Sequence, residues 1–159
     1  MRHLTRVALV CAAIALSTFG THFVSHAQQS HDASYQEMSD KFFNLLQQDK
    51  PSEGVDFLFA TNPALGKMQD EAANLKAQFG TVRTLMGGYV SHAKLVETKV
   101  AGMFVYQHYF VAYERQPISV RIEYYKSGAT WMCYGLQFDA KITDEIQKAA
   151  DANFSLETK

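Results

Sequence analysis

The sequence from Gln28 onwards lacks the residue patterns that mark most metal centres and catalytic sites. It has no C-x-x-C or H-x-x-x-H spacing and no cluster of acidic residues in one loop, which are the arrangements that hold zinc and calcium. It also has no G-x-S-x-G sequence and no glycine-rich phosphate loop. We therefore predict neither a metal nor a cofactor.

A hydrophobic run long enough to cross a membrane is also missing. The run Val7–Leu16 is apolar, whereas a membrane helix needs about 20 such residues. Two arginines precede this run, and the small residues Ser25 and Ala27 follow it. A basic start, a short apolar segment and a cleavage site of small residues are typical of a signal peptide. We predict one over residues 1–27, cut after Ala27. We expect a periplasmic or secreted protein with no membrane span after cleavage.

The predicted mature chain has little cysteine and only a small excess of negative charge. Cleavage after Ala27 removes Cys11, Arg2 and Arg6, which leaves one cysteine, 13 basic residues, 16 acidic residues and a net charge of −3. This weak negative charge argues against binding to nucleic acid or to an anionic membrane surface. Since Cys133 has no partner for an internal disulfide, the apolar core has to hold the fold, and we predict that this thiol is buried.

Apolar spacing predicts helices in the first half of the chain and one more at its end. Residues 28–33 are polar and predicted to be flexible. Ser34 and Glu37 form a capping box, which starts a helix that ends near Gln48 before Pro51. The later helices are predicted over Ser52–Ala60, from Leu65 to Phe79 with Gly80 as its C-terminal cap, and from Thr143 to about Ala150, where Ile142, Ile146 and Ala149 face inward.

Four strands are predicted between the third and fourth helices, at Tyr89–Val100, Met103–Glu114, Ile118–Lys126 and Thr130–Phe138. Helices followed by an antiparallel meander predict a single α+β domain over residues 34–159. In that domain the N-terminal helices pack on a curved four-stranded antiparallel sheet.

This order of elements resembles the nuclear transport factor 2-like (cystatin-like, SnoaL-type) superfamily, and within it exported bacterial members of unknown function. The matching features are the helices Ser34–Gln48 and Ser52–Ala60, the third helix that ends at Phe79 and Gly80, and the strands between Tyr89 and Phe138. The resemblance implies a cone-shaped fold with a ligand pocket at its open end. It also implies dimers through the outer sheet face, and enzymes that use an Asp or His inside the cone.

The second predicted strand is apolar on both faces. Phe104, Tyr106, His108 and Phe110 alternate with Val105, Gln107, Tyr109 and Val111, so one face would line the cone and the other would meet a second subunit. Aromatic side chains are the candidates for stacking on a ligand, with a core and dimer interface as the alternative reading. The candidate ligand-binding residues are Phe104, Tyr106, Phe110, Tyr124 and Trp131.

His108 is the candidate general base if the cone is an active site, because a histidine can exchange protons near neutral pH. Asp56 is the second candidate catalytic residue, and it is named only by analogy with the pocket carboxylates of related isomerases. His92 is predicted to face away from Tyr89 and Ser91.

The favoured hypothesis is a non-enzymatic exported protein that binds a small apolar ligand or an envelope protein partner and forms a homodimer. The alternatives are a cofactor-free isomerase or hydrolase that uses His108 and Asp56, and a structural envelope protein whose cone is filled.

Overall fold

The computed structural model describes residues 34–157, with side chains described as far as residue 151. These residues form an α+β fold in which three α-helices precede a four-stranded antiparallel sheet, and a last helix follows it. The predicted α+β class is confirmed. The predicted signal peptide and the predicted flexible segment 28–33 lie outside the described residues.

Helix α1, Tyr35–Gln47, begins with the predicted capping box. The Glu37 backbone N–H donates to the Ser34 hydroxyl at 3.2 Å, and the Ser34 N–H donates to the Glu37 carboxylate at 2.7 Å. These two bonds satisfy backbone donors that have no partner inside the helix. The face that α1 buries contains Met38, Phe42, Phe43 and Leu46.

Helix α2, Pro51–Ala60, begins one residue earlier than predicted. Pro51 takes the first helical position, where its missing N–H costs no hydrogen bond. A 3₁₀ turn, Leu65–Lys67, separates α2 from helix α3, Gln69–Met86.

The prediction that Gly80 ends the third helix is wrong. Helix α3 continues through Gly80 to Met86, and Gly87 closes it with a φ of 86°. Val82 and Met86 are buried like Phe79, so the apolar face extends beyond Gly80 and helical packing continues with it. The positive φ that glycine adopts without steric cost is needed at Gly87 instead.

The sheet runs in the order β1-β2-β3-β4, and every neighbouring pair is antiparallel. Each boundary lies within one residue of its predicted position. The strands are β1 Tyr89–Val100, β2 Phe104–Tyr113, β3 Pro117–Ser127 and β4 Thr130–Asp139. The first and last connections turn at Gly102 and Gly128, both at positive φ.

The sheet buries one face against α1, α2 and α3. Gln107 pairs with Ile122 and Tyr109 with Val120, so these side chains share the helix side of the sheet. The core formed there is largely apolar and aromatic, as expected for a fold without a disulfide. Its buried members are Met38, Phe42, Phe43, Leu46, Val55, Leu58, Phe59, Phe79, Val82, Met86, Val105, Tyr109, Val111, Ile118, Val120, Ile122, Tyr124, Cys133 and Leu136.

Helix α4, Ile142–Glu157, lies against the opposite face, which we call the outer face. Of the three residues predicted to face inward, only Ile142 is buried, whereas Ile146 is 47% exposed and Ala149 is exposed. The helix meets the sheet at its first turn and leaves Ile146 and Ala149 uncovered.

Within residues 34–157, none of the helices combines the length and the apolar character needed to cross a membrane.

Candidate functional site

The space between the helices and the sheet is filled by side chains. Phe42 and Phe43 of α1 meet edge to face, and Phe43 packs on Tyr109 of β2 with ring centroids 4.5 Å apart. Tyr124, one of the predicted ligand-binding residues, is fully buried in this layer, and burial raises the pKa of its phenol above the ordinary value. Tyr124 therefore belongs to the packed interior.

A buried polar network crosses this apolar layer. The Ser39 hydroxyl of α1 lies 2.6 Å from the Gln107 side-chain oxygen and 2.7 Å from the Tyr124 phenol oxygen. The Tyr109 hydroxyl donates to the same Gln107 oxygen at 3.0 Å. Since Ser39 and Gln107 are both fully buried, these bonds replace the water that the groups lose on folding.

The network reaches the surface at Glu97 of β1. The Gln107 amide donates to the Glu97 carboxylate at 3.0 Å, and the ammonium groups of Lys94 and Lys99 contact the same carboxylate. The hydrogen bond from Lys94 contributes most to lowering the pKa of Glu97 to about 2, and the bond from Gln107 contributes next. Glu97 is therefore ionised at neutral pH.

This network is built to position side chains and not to transfer protons. Burial raises the pKa of Tyr109 to about 12, so its phenol keeps its proton near neutral pH, as does that of Tyr124. The immediate neighbours of the Ser39 hydroxyl are an amide oxygen, a backbone carbonyl and a protonated phenol. None of these three groups can remove its proton, so Ser39 is not an activated nucleophile.

His108 lies on the outer face of the sheet, away from the helix layer. Its Nε2 atom lies 2.7 Å from the Ser119 hydroxyl and 3.5 Å from a carboxylate oxygen of Glu145 in α4. A serine–histidine–acid triad needs the serine and the acid on different ring nitrogens, whereas here both approach Nε2. Ser119 is also fully buried, so a substrate cannot reach its hydroxyl.

Asp56 and His108 do not form one site. Asp56 lies on α2 in the helix layer, and its carboxylate binds the ammonium of Lys76 at 2.8 Å. His108 points to the other side of the sheet, so the sheet lies between the two side chains. The structure therefore does not bring together the two residues that the analogy paired as catalytic groups.

The predicted ligand-binding residues are divided between the two sides of the sheet. Phe104, Tyr106 and Phe110 lie half-buried on the outer face, opposite Tyr124. Trp131 of β4 instead contacts Tyr35 of α1, with ring centroids 5.0 Å apart. The five residues therefore do not line one common pocket.

His92 lies on the helix side together with Tyr89, contrary to prediction. A register shift between Tyr89 and Ser91 places both side chains on that face, and the His92 ring stacks on Phe43 with centroids 4.0 Å apart. Burial lowers the pKa of His92, and the Asp40 carboxylate opposes that shift. At neutral pH the ring acts as a stacking partner at the edge of the core.

The outer face carries an aromatic surface at the end where β1 turns into β2. Phe104 pairs across the strands with Val100 and Tyr125, and its ring lies 5.8 Å from that of Tyr134. Tyr106 lies two residues further along the same face. We call these five residues the outer patch; its most exposed members are Tyr134, 58% exposed, and Val100, 54% exposed.

A cleft of about 540 Å³ opens between α2, the 3₁₀ turn and α3; we call it the helical cleft. Phe59, Leu65, Met68 and Ala72 form its apolar part, and charged side chains stand at its rim. Sequence reasoning named Asp56 but missed the cleft, because its walls come from three segments whose relative placement no local pattern specifies. The rim charges are Asp56, Asp70 and Lys76.

A second, smaller cleft of about 220 Å³ lies between α3 and Phe138 of β4. Across residues 34–157, no group of three or more His, Cys, Asp or Glu side chains is arranged to hold a metal ion.

Comparison with protein families, curated proteins and solved structures finds no family model, no curated protein and no solved structure that matches the chain.

Proposed function

We propose that this chain is a non-enzymatic, exported binding protein of the nuclear transport factor 2-like type that pairs with a second copy of itself through the outer patch. The leader pattern before Gln28 supports export. The order of helices and strands supports the superfamily. The exposed aromatic surface made by Phe104, Tyr125 and Tyr134 carries the proposal for the partner.

Partner binding explains why large apolar side chains stand in contact with water on this face. Contiguous apolar surface is uncommon on proteins that work alone, and tyrosine is among the side chains that contribute most to interfaces. Tyr125 and Tyr134 each offer a large ring together with a hydroxyl that can bond to water or to a partner. Covering them removes apolar area from water on both copies.

The uncharged side chains of this surface suit contact with a second copy. All five residues of the outer patch are uncharged, and the Glu123 carboxylate stands beside them on the same face, where it pairs across the strands with Tyr106. A two-fold pair uses the same patch on each chain, which makes such an interface self-complementary. Sheet faces also pack readily on one another through interleaved side chains.

The filled interior supports the non-enzymatic part of the proposal. Phe42, Phe43 and Tyr124 occupy the volume beneath the sheet where a buried substrate would lie. The titratable groups named for catalysis, His108 and Asp56, are held by other partners on opposite sides of the sheet. A purely structural envelope role is the second candidate, and the same filled interior favours it. It differs by requiring no self-association.

Sedimentation velocity tests the pairing with the chain that begins at Gln28. We expect the wild type to sediment with the mass of two chains at micromolar concentration. Tyr125→Glu and Tyr134→Glu each place a carboxylate inside the patch, and both variants should sediment as monomers with an unchanged circular dichroism spectrum. Asn44→Glu adds the same charge to the exposed side of α1 and should stay dimeric.

The proposal fails if the wild type remains a monomer up to about 100 μM, since a specific interface with aromatic anchors should associate well below that concentration. It also fails if both tyrosine variants stay folded and dimeric. If the wild type is a monomer, the structural envelope role is the better supported of the two hypotheses.

A further inference from the structure

We propose that the helical cleft binds a small amphipathic cation, a compact apolar body that carries one protonated amine. This inference is separate from the proposed pairing. The cleft is built by α2, the 3₁₀ turn and α3 on the helix side, whereas the outer patch lies on the other side of the sheet.

The size and lining of the helical cleft suit a small ligand. Its volume of about 540 Å³ falls in the range of about 300–1,000 Å³ that is typical of small-molecule sites. Phe59 and Ala72 provide an apolar wall on two facing helices, and Leu65 closes it from the 3₁₀ turn. Met68 lines the cleft while 40% exposed, and its flexible thioether can adapt to the shape of a bound group.

The charges at the rim select the class of ligand. Two carboxylates, Asp56 and Asp70, and one ammonium group, Lys76, line the cleft, so its charged side chains carry one excess negative charge. Lys76 is already bound to the Asp56 carboxylate at 2.8 Å, which reduces its attraction for an anionic ligand. Asp70 stands in the first turn of α3 and repels anions from backbone N–H groups that would otherwise attract them. Because the same ion pair also engages the Asp56 carboxylate, Asp70 is the electrostatic partner that the cleft offers to a ligand ammonium.

Three compounds of similar size and different charge test this assignment on the chain that begins at Gln28. The probes are 2-phenylethylamine, 2-phenylethanol and 3-phenylpropanoate, with binding measured by isothermal titration calorimetry near neutral pH. We expect the amine to bind about tenfold more tightly than the alcohol, and the carboxylate to bind least. Asp70→Asn should bring the affinity for the amine close to that for the alcohol.

A matched pair of variants locates the binding. Ala73 lines the cleft and is exposed, so Ala73→Phe should fill the opening and reduce amine binding at least about tenfold. Ala77 is exposed one turn further along α3 and outside the cleft, so Ala77→Phe should bind as the wild type does. Thermal unfolding of both variants verifies that each is folded.

Several results would overturn the assignment. These are equal binding of the three probes, tighter binding of the carboxylate, unchanged amine binding in folded Ala73→Phe, or no saturable binding up to about 10 mM. Because Tyr125→Glu leaves the cleft untouched, amine binding by this variant separates failure of the cleft from failure of the proposed pairing.

Discussion

The Ser39 hydroxyl of α1 lies 2.7 Å from the Tyr124 phenol oxygen of β3, although the two residues are 85 positions apart in the chain. Ser39 uses its own proton for the Gln107 oxygen at 2.6 Å, so Tyr124 is the donor in this pair. The contact ties the first helix to the centre of the sheet inside an otherwise apolar layer. Such a bond specifies how α1 sits on the sheet, because a rotated helix would leave buried polar groups without partners.

Replacing Ser39 with alanine should destabilise the fold. Ser39→Ala leaves the buried Tyr124 hydroxyl without its acceptor, and an unsatisfied buried group costs about 1–3 kcal/mol. Urea unfolding measures the loss. The exposed serine of α2 provides the control, and Ser52→Ala should change the free energy of unfolding by no more than about 0.5 kcal/mol.

A double-mutant cycle with Tyr124→Phe shows whether the loss belongs to this hydrogen bond. The effect of Ser39→Ala should become smaller once the Tyr124 hydroxyl has been removed. Equal effects of Ser39→Ala in both backgrounds would contradict the assigned contact.

Two glycines near the end of α3 should respond to alanine in opposite directions. Gly80 lies inside the helix with no atom within 4 Å of an added Cβ, so Gly80→Ala should raise the free energy of unfolding by about 0.5–1 kcal/mol. Gly87 has a φ of 86°, and its added Cβ would collide with the Glu114 side chain, so Gly87→Ala should destabilise.

Thermal unfolding of the two glycine variants distinguishes the observed helix end from the predicted one. A lowered melting temperature for Gly80→Ala would point to a left-handed cap at that position, as the sequence alone had indicated.

Stability should fall in acid through Glu97. The pKa of Glu97 is about 2 in the folded protein and about 4.3 in an unfolded chain, so the unfolded state binds the proton more readily. The contribution of Glu97 is therefore fully present above about pH 5 and is lost as the pH falls towards 2. Urea midpoints measured across this interval should decline less steeply for Glu97→Gln than for the wild type. Parallel pH profiles for the two proteins would contradict this role.

Cys133 should be unreactive until the protein unfolds. The residue is fully buried, and burial raises the pKa of its thiol to about 12, so the reactive thiolate is scarce at pH 8. In the chain that begins at Gln28, which has one cysteine, a disulfide reagent should label about one thiol per chain in denaturant and almost none in native buffer. Rapid stoichiometric labelling of the native protein would show that the site opens readily.

The sequence by itself determined the elements and their order. The Ser34–Glu37 capping box, the proline that begins α2 and the clean alternation of β3 depend on residues that are near neighbours in the chain. Local hydrogen bonding and the two-residue side-chain period act over a few positions, so strand boundaries agree to within one residue. The burial of Cys133 was also predictable, because an unpaired cysteine in a disulfide-free core is most stable away from water.

The tertiary structure alone decided what each face of the sheet meets. Both faces of β2 are apolar, so no pattern within the strand could say that Tyr109 would pack on the helices while Tyr106 faced outward. That choice depends on which side the helices cover. The packing of the helices on one side of the sheet also separates His108 from Asp56. It brings Lys76 of α3 to Asp56 of α2. The helical cleft likewise exists only once α2, the 3₁₀ turn and α3 are packed together, because its walls come from segments whose relative placement the core determines.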